Sequence, residues 1–318
     1  MVNSPSKKTD LSFESYFLLA FERLDTFFAA SKPSTSCLRL FHGFDDSYPP
    51  TLKGLTIDLY FPIILIQTSQ QTELSQTVIY YIQKKLPENT PIIYKSRFYE
   101  NGKFQHKTTV LQGSVASTSF IVRENNIFFS VQLSENLDTG LYLDTALVRE
   151  WLFNNSAKKK ILNLYSYTCS YGIVALLGGA IDVINVDSSR SALQTGKANY
   201  EANQMAINPR SFSHLPVNDF LRYARKKKDS FDTIILDPSP PHFSLHTVTE
   251  KMAYYLGPIQ KCLELLKPMG LLLVSCHSFT DLSPSEFKDT IIKSCPTLTY
   301  YQSGSSVEFV GHFSRILK

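Results

Sequence analysis

From about residue 137 onward, short apolar runs alternate with longer amphipathic stretches, and this alternation constrains the fold more than any other feature. The apolar runs lie at residues 161–164, 183–186, 233–236 and 271–275. Helix-like stretches lie between them, most clearly at 189–203 and 254–266. Apolar strands that alternate with helices indicate a parallel sheet with helices on both faces. The sequence therefore predicts an α/β domain with a doubly wound, Rossmann-like sheet over residues 131–318.

The last part of the sequence shows a different pattern. Residues 298–301 and 307–316 have the composition of two further strands, joined by a turn of serine and glycine at 303–306. We expect this pair to form an antiparallel hairpin at one edge of the sheet. A parallel sheet that ends in such a hairpin is the class I methyltransferase variant of the doubly wound fold.

The first 130 residues have a less regular pattern. A helix-like stretch of aromatic residues and leucine is followed by extended runs at 55–58, 63–67 and 91–95, with a second helix-like stretch at 73–85. Asn125-Asn126 separates two more extended runs and indicates a tight hairpin turn. We predict a smaller α+β domain over residues 1–130 that binds the substrate.

Charge and cysteine content narrow the class of protein. There are 32 Lys and Arg residues against 28 Asp and Glu, so the net charge is +4, which permits a nucleic-acid partner without requiring one. The five cysteines form no Cys-x-x-Cys pair, which argues against a disulfide framework and a zinc site. No apolar run approaches the ~20 residues of a membrane helix. The sequence predicts a cytoplasmic protein with no metal site.

Polar residues follow the first two strands of the predicted sheet. The first strand leads into Tyr165-Ser166-Tyr167-Thr168-Cys169, and the second ends at Asp187, where a carboxylate can bind ribose hydroxyls. Dinucleotides need a Gly-x-Gly-x-x-Gly loop that approaches a pyrophosphate, whereas this loop has only Gly172. S-adenosylmethionine has no pyrophosphate, so the loop favours this methyl donor over NAD. The alternative is an ordinary turn whose polar residues cap the helix.

Two further acids follow predicted strands. Asp219-Phe220 follows a short extended run, where the acid can bond adenine and the ring can stack on it. Asp237-Pro238 follows the fourth strand, in the position that faces the transferable methyl group. Each aspartate alone is more often a helix cap. Acids after three successive strands favour a binding site.

Several motifs resemble the bacterial large-subunit ribosomal RNA methyltransferases, a family of cytosine-5 enzymes and guanine-N7 relatives. The similar segments are residues 137–144, which include the run Thr139-Gly140-Leu141-Tyr142-Leu143-Asp144, and residues 163–168, 177–180, 186–189, 231–238, 274–276 and 311–315. They keep the family's order over roughly residues 120–290, and the first is the most specific. Two residues depart from the pattern: Cys169 stands where glycine is frequent, and Ser239 interrupts the usual Asp-Pro-Pro.

The resemblance implies nine cofactor-binding residues, which are Tyr142, Asp144, Asn163, Tyr165, Tyr167, Asp187, Ser188, Asp219 and Phe220. The first two would close the pocket, and the next three would line the methionine end. Asp187 would hold the ribose with Ser188 beside it, and the last two would face adenine. The implied cofactor is S-adenosylmethionine.

The resemblance leaves two chemistries open. Carbon 5 of cytosine becomes nucleophilic only when a thiolate adds to carbon 6. Cys276 ends the fifth strand, where the family has its catalytic cysteine, with His277 beside it to favour the thiolate and Asp237 to bond the base. Guanine N7 is already nucleophilic, so that reaction needs positioning alone. In that case Cys276 is a buried strand-end residue.

The partner implied by the resemblance is RNA, and 23S ribosomal RNA in particular. Basic runs lie at 158–160 and 222–228, and Lys95, Arg97, Lys103 and Lys107 lie among aromatic residues. Basic residues interleaved with aromatic ones suit looped RNA, although a charged run is more often a solvated face. The rival interpretations are a methyltransferase of a protein or small molecule and a non-catalytic RNA-binding relative. The oligomeric state is left open, a homodimer included.

Overall fold

The structure is a computed structural model of the 318-residue chain. It describes residues 13–30, 34–43, 52–69, 74–101, 103–239, 247–276, 284–303 and 309–315. The backbone alone is described at residues 13–14, 69, 276, 284, 299–303 and 309–315. No helix in these ranges is both long enough and apolar enough to cross a membrane.

The described ranges contain eight α-helices and fourteen strands, and strands alternate with helices from α3 onward until the final strand pair. The α-helices are α1 Phe13–Ala29, α2 Gln76–Lys85, α3 Ala146–Asn155, α4 Ser170–Leu177, α5 Arg190–Ala202, α6 Val217–Lys227, α7 Val248–Leu265 and α8 Pro284–Ser294. The first seven strands are β1 Cys37–His42, β2 Leu55–Tyr60, β3 Ile63–Ser69, β4 Ile92–Glu100, β5 Lys103–Gln112, β6 Ser119–Glu124 and β7 Ile127–Gln132. The last seven are β8 Lys160–Leu164, β9 Asp182–Asp187, β10 Phe212–His214, β11 Phe231–Leu236, β12 Leu266–Cys276, β13 Leu298–Ser303 and β14 Phe309–Arg315.

The chain divides into two compact units. Unit 1 contains residues 1–118, 122–126 and 133–137, and unit 2 contains residues 119–121, 127–132 and 138–318. Around the β6–β7 hairpin, successive short segments belong alternately to the two units. The turn residues Asn125 and Asn126 of this hairpin both have positive φ, in agreement with the tight turn that their sequence indicated. The boundary near residue 130 between a substrate-binding domain and a catalytic domain stays a prediction.

Unit 2 has the sheet that the strand–helix alternation predicts. Its seven strands have the order β10-β9-β8-β11-β12-β14-β13. The first five are parallel, and β14 pairs antiparallel with both β12 and β13. Strand order reverses at β8, between β9 and β11, and this is the switch point at which doubly wound sheets bind ligands. The prediction of a doubly wound class I methyltransferase sheet is confirmed.

The core of unit 2 explains why these strands could be recognised from sequence. Alternate residues of β8, β11 and β12 pack with α6, α7 and α8, as Leu162, Ile234 and Leu272 do, all of them buried. Helices α4 and α5 pack on β8 and β9. A strand with helices on both faces needs apolar residues at almost every position, and a run of that kind is conspicuous in a sequence.

Unit 1 has a five-stranded sheet in the order β1-β2-β3-β4-β5. Its strands pair antiparallel, except that β3 and β4 are parallel and are connected through α2. Residues of α1 and α2, among them Phe17, Leu24 and Ile82, pack with Ile57 and Ile64 of the sheet. The sequence did not predict β1 or β5, because both are edge strands in which polar residues interrupt the apolar pattern.

Of the basic residues expected on an RNA-binding surface, one is buried and another is half-buried. The side chain of Lys95 is buried, and its ammonium group donates to the carbonyl of Asn136 at 2.7 Å. Arg97 donates to the carbonyl of Leu137 at 2.5 Å. The expectation that Lys95 contacts RNA is therefore wrong, because its ammonium group is buried and hydrogen-bonds to a backbone carbonyl. Both side chains fix residues 136–137 onto β4.

Candidate active site

The loop from β8 to α4 has an unusual backbone. Tyr165, Tyr167 and Cys169 have φ values of 57°, 47° and 64°, a region that residues with a side chain seldom adopt. Cys169 donates its N–H to the carbonyl of Ser166 at 2.7 Å, and Ser166 donates to Val186 at 3.0 Å. Three such residues in five cost energy and persist only where the surroundings fix them, which is typical of functional loops.

The one glycine near this loop serves packing. A side chain at Gly172 would place its Cβ 2.2 Å from Oδ1 of Asn185, so glycine allows α4 to lie directly on β9. This is the helix–strand contact that the last glycine of a dinucleotide fingerprint provides. The loop therefore keeps the packing glycine and lacks those that admit a pyrophosphate.

Cys169 fits its position through a second glycine. It is buried in the left-handed conformation, and a Cβ at Gly196 of α5 would lie 2.5 Å from its sulfur. The cysteine thus fills space that Gly196 leaves open. Burial raises the pKa of the Cys169 thiol to about 12, so the group is a neutral packing residue near neutral pH.

Asp187, the last residue of β9, ties two loops together. Its carboxylate accepts the N–H of Tyr167 at 2.8 Å and the N–H of Ser189 at 2.7 Å. These bonds occupy part of the carboxylate, whose two oxygens have about four acceptor positions. Asp187 is half-buried, and Ser188 beside it is exposed. The remaining acceptor positions suit a pair of hydroxyls.

The segment with the most specific motif is anchored against the same loop. Thr168 donates its hydroxyl to the carbonyl of Gly140 at 2.6 Å. The ring of Tyr142, which is 39% exposed, lies 5.5 Å from that of Tyr167 between centroids. Asp144 follows in a 3-10 turn, half-buried. The structure thus brings Tyr142 and Tyr167 together from two segments that are distant in the sequence.

The anchor depends on an asparagine that sequence reasoning missed. Asn199 of α5 is buried; it donates to the carbonyl of Thr168 at 3.1 Å and accepts from the N–H of Ser130 at 2.7 Å. It therefore fixes the cofactor loop to β7. Its only sequence signal was an asparagine on the apolar face of a predicted helix.

Asn163 begins a buried polar network at the centre of the sheet. Its amide donates to Oδ1 of Asn185 at 2.9 Å, and Asn185 donates to the hydroxyl of Tyr200 at 2.9 Å. Oδ1 of Asn163 is buried and has no hydrogen-bond partner among the described residues. A buried oxygen in this condition is an acceptor that a donor group of a ligand can satisfy.

The loop after β11 is held from α7. Tyr254 donates its hydroxyl to the carbonyl of Ser239 at 3.0 Å, two residues beyond Asp237. The pKa of Tyr165 is raised to about 12, mainly by burial and to a smaller extent by the nearby Tyr254, Cys262 and Asp187. Tyr254 therefore lies next to both the cofactor loop and the Asp237 loop, and no sequence motif marked it.

Four other predicted residues lie apart from this group of contacts or outside the described side chains. Asp219, in the first turn of α6, is bonded to Arg222 at 2.5 Å, and Phe220 lies in the core at 4% exposure. The adenine contact predicted for this pair stays a prediction.

The backbone of Cys276 ends β12, and His277 lies outside the described residues. In the described part of the chain, no three acidic, histidine or cysteine side chains gather as metal ligands.

The sheet order, the unusual loop and the acid at the end of β9 define a class I methyltransferase. In agreement, residues 38–309 match the model of the S-adenosylmethionine-dependent methyltransferases, and the chain belongs to this family. The predicted membership of a methyltransferase family and S-adenosylmethionine as the cofactor are confirmed.

Individual relatives agree with the family. The chain is 32% identical over 243 residues to "Ribosomal RNA large subunit methyltransferase I" of Aeromonas salmonicida, covering 73% of this chain and 60% of the relative. A Vibrio vulnificus protein of the same name is 29% identical over 83% of this chain and 66% of its own length. The structure of SMU.776, described as a methyltransferase complexed with SAH, superposes with a TM-score of 0.77 at 26% identity, covering 94% of this chain and 80% of that one. The chain thus spans about 60% of the length of the Aeromonas relative.

Proposed function

We propose that this chain transfers a methyl group from S-adenosylmethionine to RNA, and that the RNA is that of the large ribosomal subunit. The observation that carries the proposal is the outer face of α6, which is basic and aromatic. Support also comes from the relatives that bear the name of a ribosomal RNA methyltransferase.

The outer face of α6 suits a polyanion. Arg222, Tyr223, Arg225, Lys226 and Lys227 are exposed, and the ammonium group of Lys227 lies 5.8 Å from the centre of the Tyr223 ring. The helix ends with its basic residues in the last turn, where they also favour the helix dipole. An exposed ring among cations can stack on a base while the cations contact phosphates.

Acidic neighbours determine which of these basic residues can best bind a phosphate. Arg222 is paired with Asp219, and Arg225 lies 3.2 Å from Glu264. Lys226 and Lys227 have no ion pair among the described residues. These two lysines are therefore the best candidates for phosphate contacts.

The residues present fit S-adenosylmethionine, which supplies an electrophilic methyl group when bound. Asp187 would accept hydrogen bonds from the ribose hydroxyls with the acceptor positions that Tyr167 and Ser189 leave free. The partnerless Oδ1 of Asn163 would accept from the ammonium of the methionine end. Tyr142 would cover the ligand from the adjoining segment.

For the target base we propose carbon 5 of cytosine. In the parallel register of β11 and β12, Leu236 is level with Val274, so Cys276 lies two residues beyond that pair, on the side of the Asp237 loop. The Cys276 thiolate would add to carbon 6 and make carbon 5 nucleophilic. After methylation, loss of the carbon-5 proton and elimination of the cysteine would restore the ring and the thiol. Tyr254, through Ser239, would position Asp237 beside the base.

The experiment that tests this proposal compares ribosomal RNA from the parent strain and from a strain that lacks the gene. Nucleoside mass spectrometry should show one methylated nucleoside missing from the large-subunit RNA of the deletion strain, and the purified protein should restore it. Missing 5-methylcytidine would support the cytosine-5 assignment, whereas missing 7-methylguanosine would replace it with the N7 reaction. Unchanged RNA in the deletion strain, with no methylation by the purified protein, would contradict an RNA substrate.

A further inference from the structure

The β4–β5 hairpin of unit 1 carries an exposed aromatic pair at its tip. Tyr99 and Phe104 are directly opposite each other in the antiparallel register. Their ring centroids are 5.3 Å apart with an interplanar angle of 74°, and the residues are 39% and 52% exposed. A buried ring of this size removes about 150–250 Å² from water, so two rings left outside forgo a large stabilisation.

The position of the pair follows from the strand period. Alternate cross-strand pairs share a face of the hairpin, so Tyr99/Phe104 lies on the same face as Arg97/His106 and Lys95/Thr108. Residues 134–137 cover the latter two pairs through bonds from Lys95, Arg97, His106 and Thr108 to backbone carbonyls. The cover ends there, and the next pair on this face is the exposed aromatic one.

The exposed charge around the hairpin tip is positive, on the face opposite the rings. Lys103 is opposite Glu100 in the register and Lys107 is opposite Ser96, so both lie on the other face from Tyr99 and Phe104. Both lysines are exposed and have no ion pair among the described residues. Glu100 is the single acidic residue between positions 97 and 107. Two lysines against one carboxylate give the tip a net positive charge, which suits a polyanion.

We infer that the tip of the β4–β5 hairpin is a stacking platform for unpaired bases of RNA, and that Lys103 and Lys107 contact phosphates where the RNA passes around the edge strand β5 to its other face. The inference rests on the proposed RNA substrate and names where unit 1 would hold it. Unpaired bases offer faces that stack on aromatic side chains, whereas bases inside a duplex do not. The platform therefore prefers single-stranded or looped RNA.

The test measures the affinity for a fluorescein-labelled oligoadenylate by fluorescence anisotropy. Replacing both rings, Tyr99→Ala with Phe104→Ala, should weaken binding roughly fivefold to hundredfold, the range for removal of one stacked base. The exchange Tyr99→Phe with Phe104→Tyr keeps both rings and should keep the affinity. Binding of a fully paired RNA duplex should change little in either variant.

Unit 1 offers a matched control pair. Phe28 and Phe61 are 45% and 47% exposed and also pack edge to face, at 6.5 Å, but their sequence neighbours are uncharged. Phe28→Ala with Phe61→Ala should leave the affinity for oligoadenylate unchanged. An equal loss in this control would show that exposed rings bind RNA without a specific platform, and the inference would be wrong.

The remaining outcomes separate this inference from the proposed function. Wild-type protein that binds and methylates RNA, with a Tyr99/Phe104 double variant of equal affinity, refutes the platform alone. A double variant that changes sedimentation from dimer to monomer while keeping its RNA affinity assigns the rings to a protein interface. Wild-type protein that neither binds nor methylates RNA refutes the proposed substrate, and the platform with it.

Discussion

Asp187 and Asp232 lie at opposite ends of the same parallel sheet, and each accepts a backbone N–H. At the carboxyl end of β9, Asp187 accepts from Tyr167 and Ser189 and has no cation partner among the described residues. At the amino end of β11, Asp232 accepts the N–H of Lys160 at 2.8 Å and also binds the ammonium of Lys267 at 2.9 Å.

The presence or absence of a lysine partner separates the structural acid, Asp232, from the candidate ligand-binding acid, Asp187. The ammonium group of Lys267 compensates the negative charge of Asp232. Through its bonds to Lys160 and Lys267, this acid joins the beginnings of three strands, β8, β11 and β12. Among the described residues, the hydrogen-bond partners of Asp187 are N–H groups, and its carboxylate retains capacity for a ligand. A run of three positive φ values, at Tyr165, Tyr167 and Cys169, lies at the carboxyl end, whereas those near the amino end are isolated, as at Lys158 and Lys228. Variants at the two ends should therefore fail in different ways.

The largest effect is expected from Cys276→Ser, at the carboxyl end of β12. The hydroxyl of serine has too high a pKa to add to the cytosine ring near neutral pH, so turnover should disappear while affinity for SAH and RNA stays nearly intact. Methyl transfer from labelled S-adenosylmethionine measures the first quantity and calorimetry the second. The wild-type protein should also form a covalent adduct with RNA that contains 5-fluorocytidine, because fluorine blocks release of the cysteine. Full activity in the variant and no adduct would favour the guanine-N7 reaction.

The next effect is on cofactor binding. Asp187→Ala removes the acceptor for the ribose hydroxyls and also frees the N–H groups of Tyr167 and Ser189, so it should weaken SAH binding by at least ~1.5–3 kcal/mol. Asp187→Asn keeps one acceptor oxygen and should retain part of the affinity. Calorimetry that finds the alanine variant as tight as wild type would remove Asp187 from the site and erase the distinction between the two ends of the sheet.

How much of this site the sequence predicted depends on the kind of interaction. Asp187 was predictable because a buried apolar strand fixes where the acid lies. The motif at 139–144 marked Tyr142, but its contact with Tyr167 depends on hydrogen bonds of Thr168 and Asn199 between distant segments. No local pattern encodes such bonds. Lys95 was misjudged for the same reason, since its acceptor is a carbonyl 41 residues away.

The lysines of α6 should have a smaller effect, visible in salt dependence. Lys226→Gln with Lys227→Gln should reduce the slope of log affinity against log salt by roughly 0.7–0.9 for each phosphate that a lysine no longer neutralises. Arg225→Gln should change the slope less, because Glu264 already pairs with Arg225. The measurement is titration of labelled RNA at several salt concentrations. Superimposable slopes for wild type and the double lysine variant would show that this helix face is exposed to solvent and does not contact RNA phosphates.

The smallest effect is expected at the amino end of the sheet. Partial burial raises the pKa of Asp232, but the bonds from Lys160 and Lys267 outweigh it, and the net pKa is lowered. A lowered folded-state pKa means that the carboxylate stabilises the fold above its unfolded pKa, roughly 3.9, and that this stability is lost as pH falls through the folded value. Asp232→Asn should therefore lower the free energy of unfolding by only about 1 kcal/mol at neutral pH, since the pair is partly exposed. Urea denaturation should show the difference from wild type shrinking as the solution is acidified below pH ~3.9, because the wild-type carboxylate then becomes protonated. The SAH affinity of this variant should equal that of wild type. A loss of affinity comparable to that of Asp187→Ala would mean that the acids at the two ends of the sheet do not divide structure from binding.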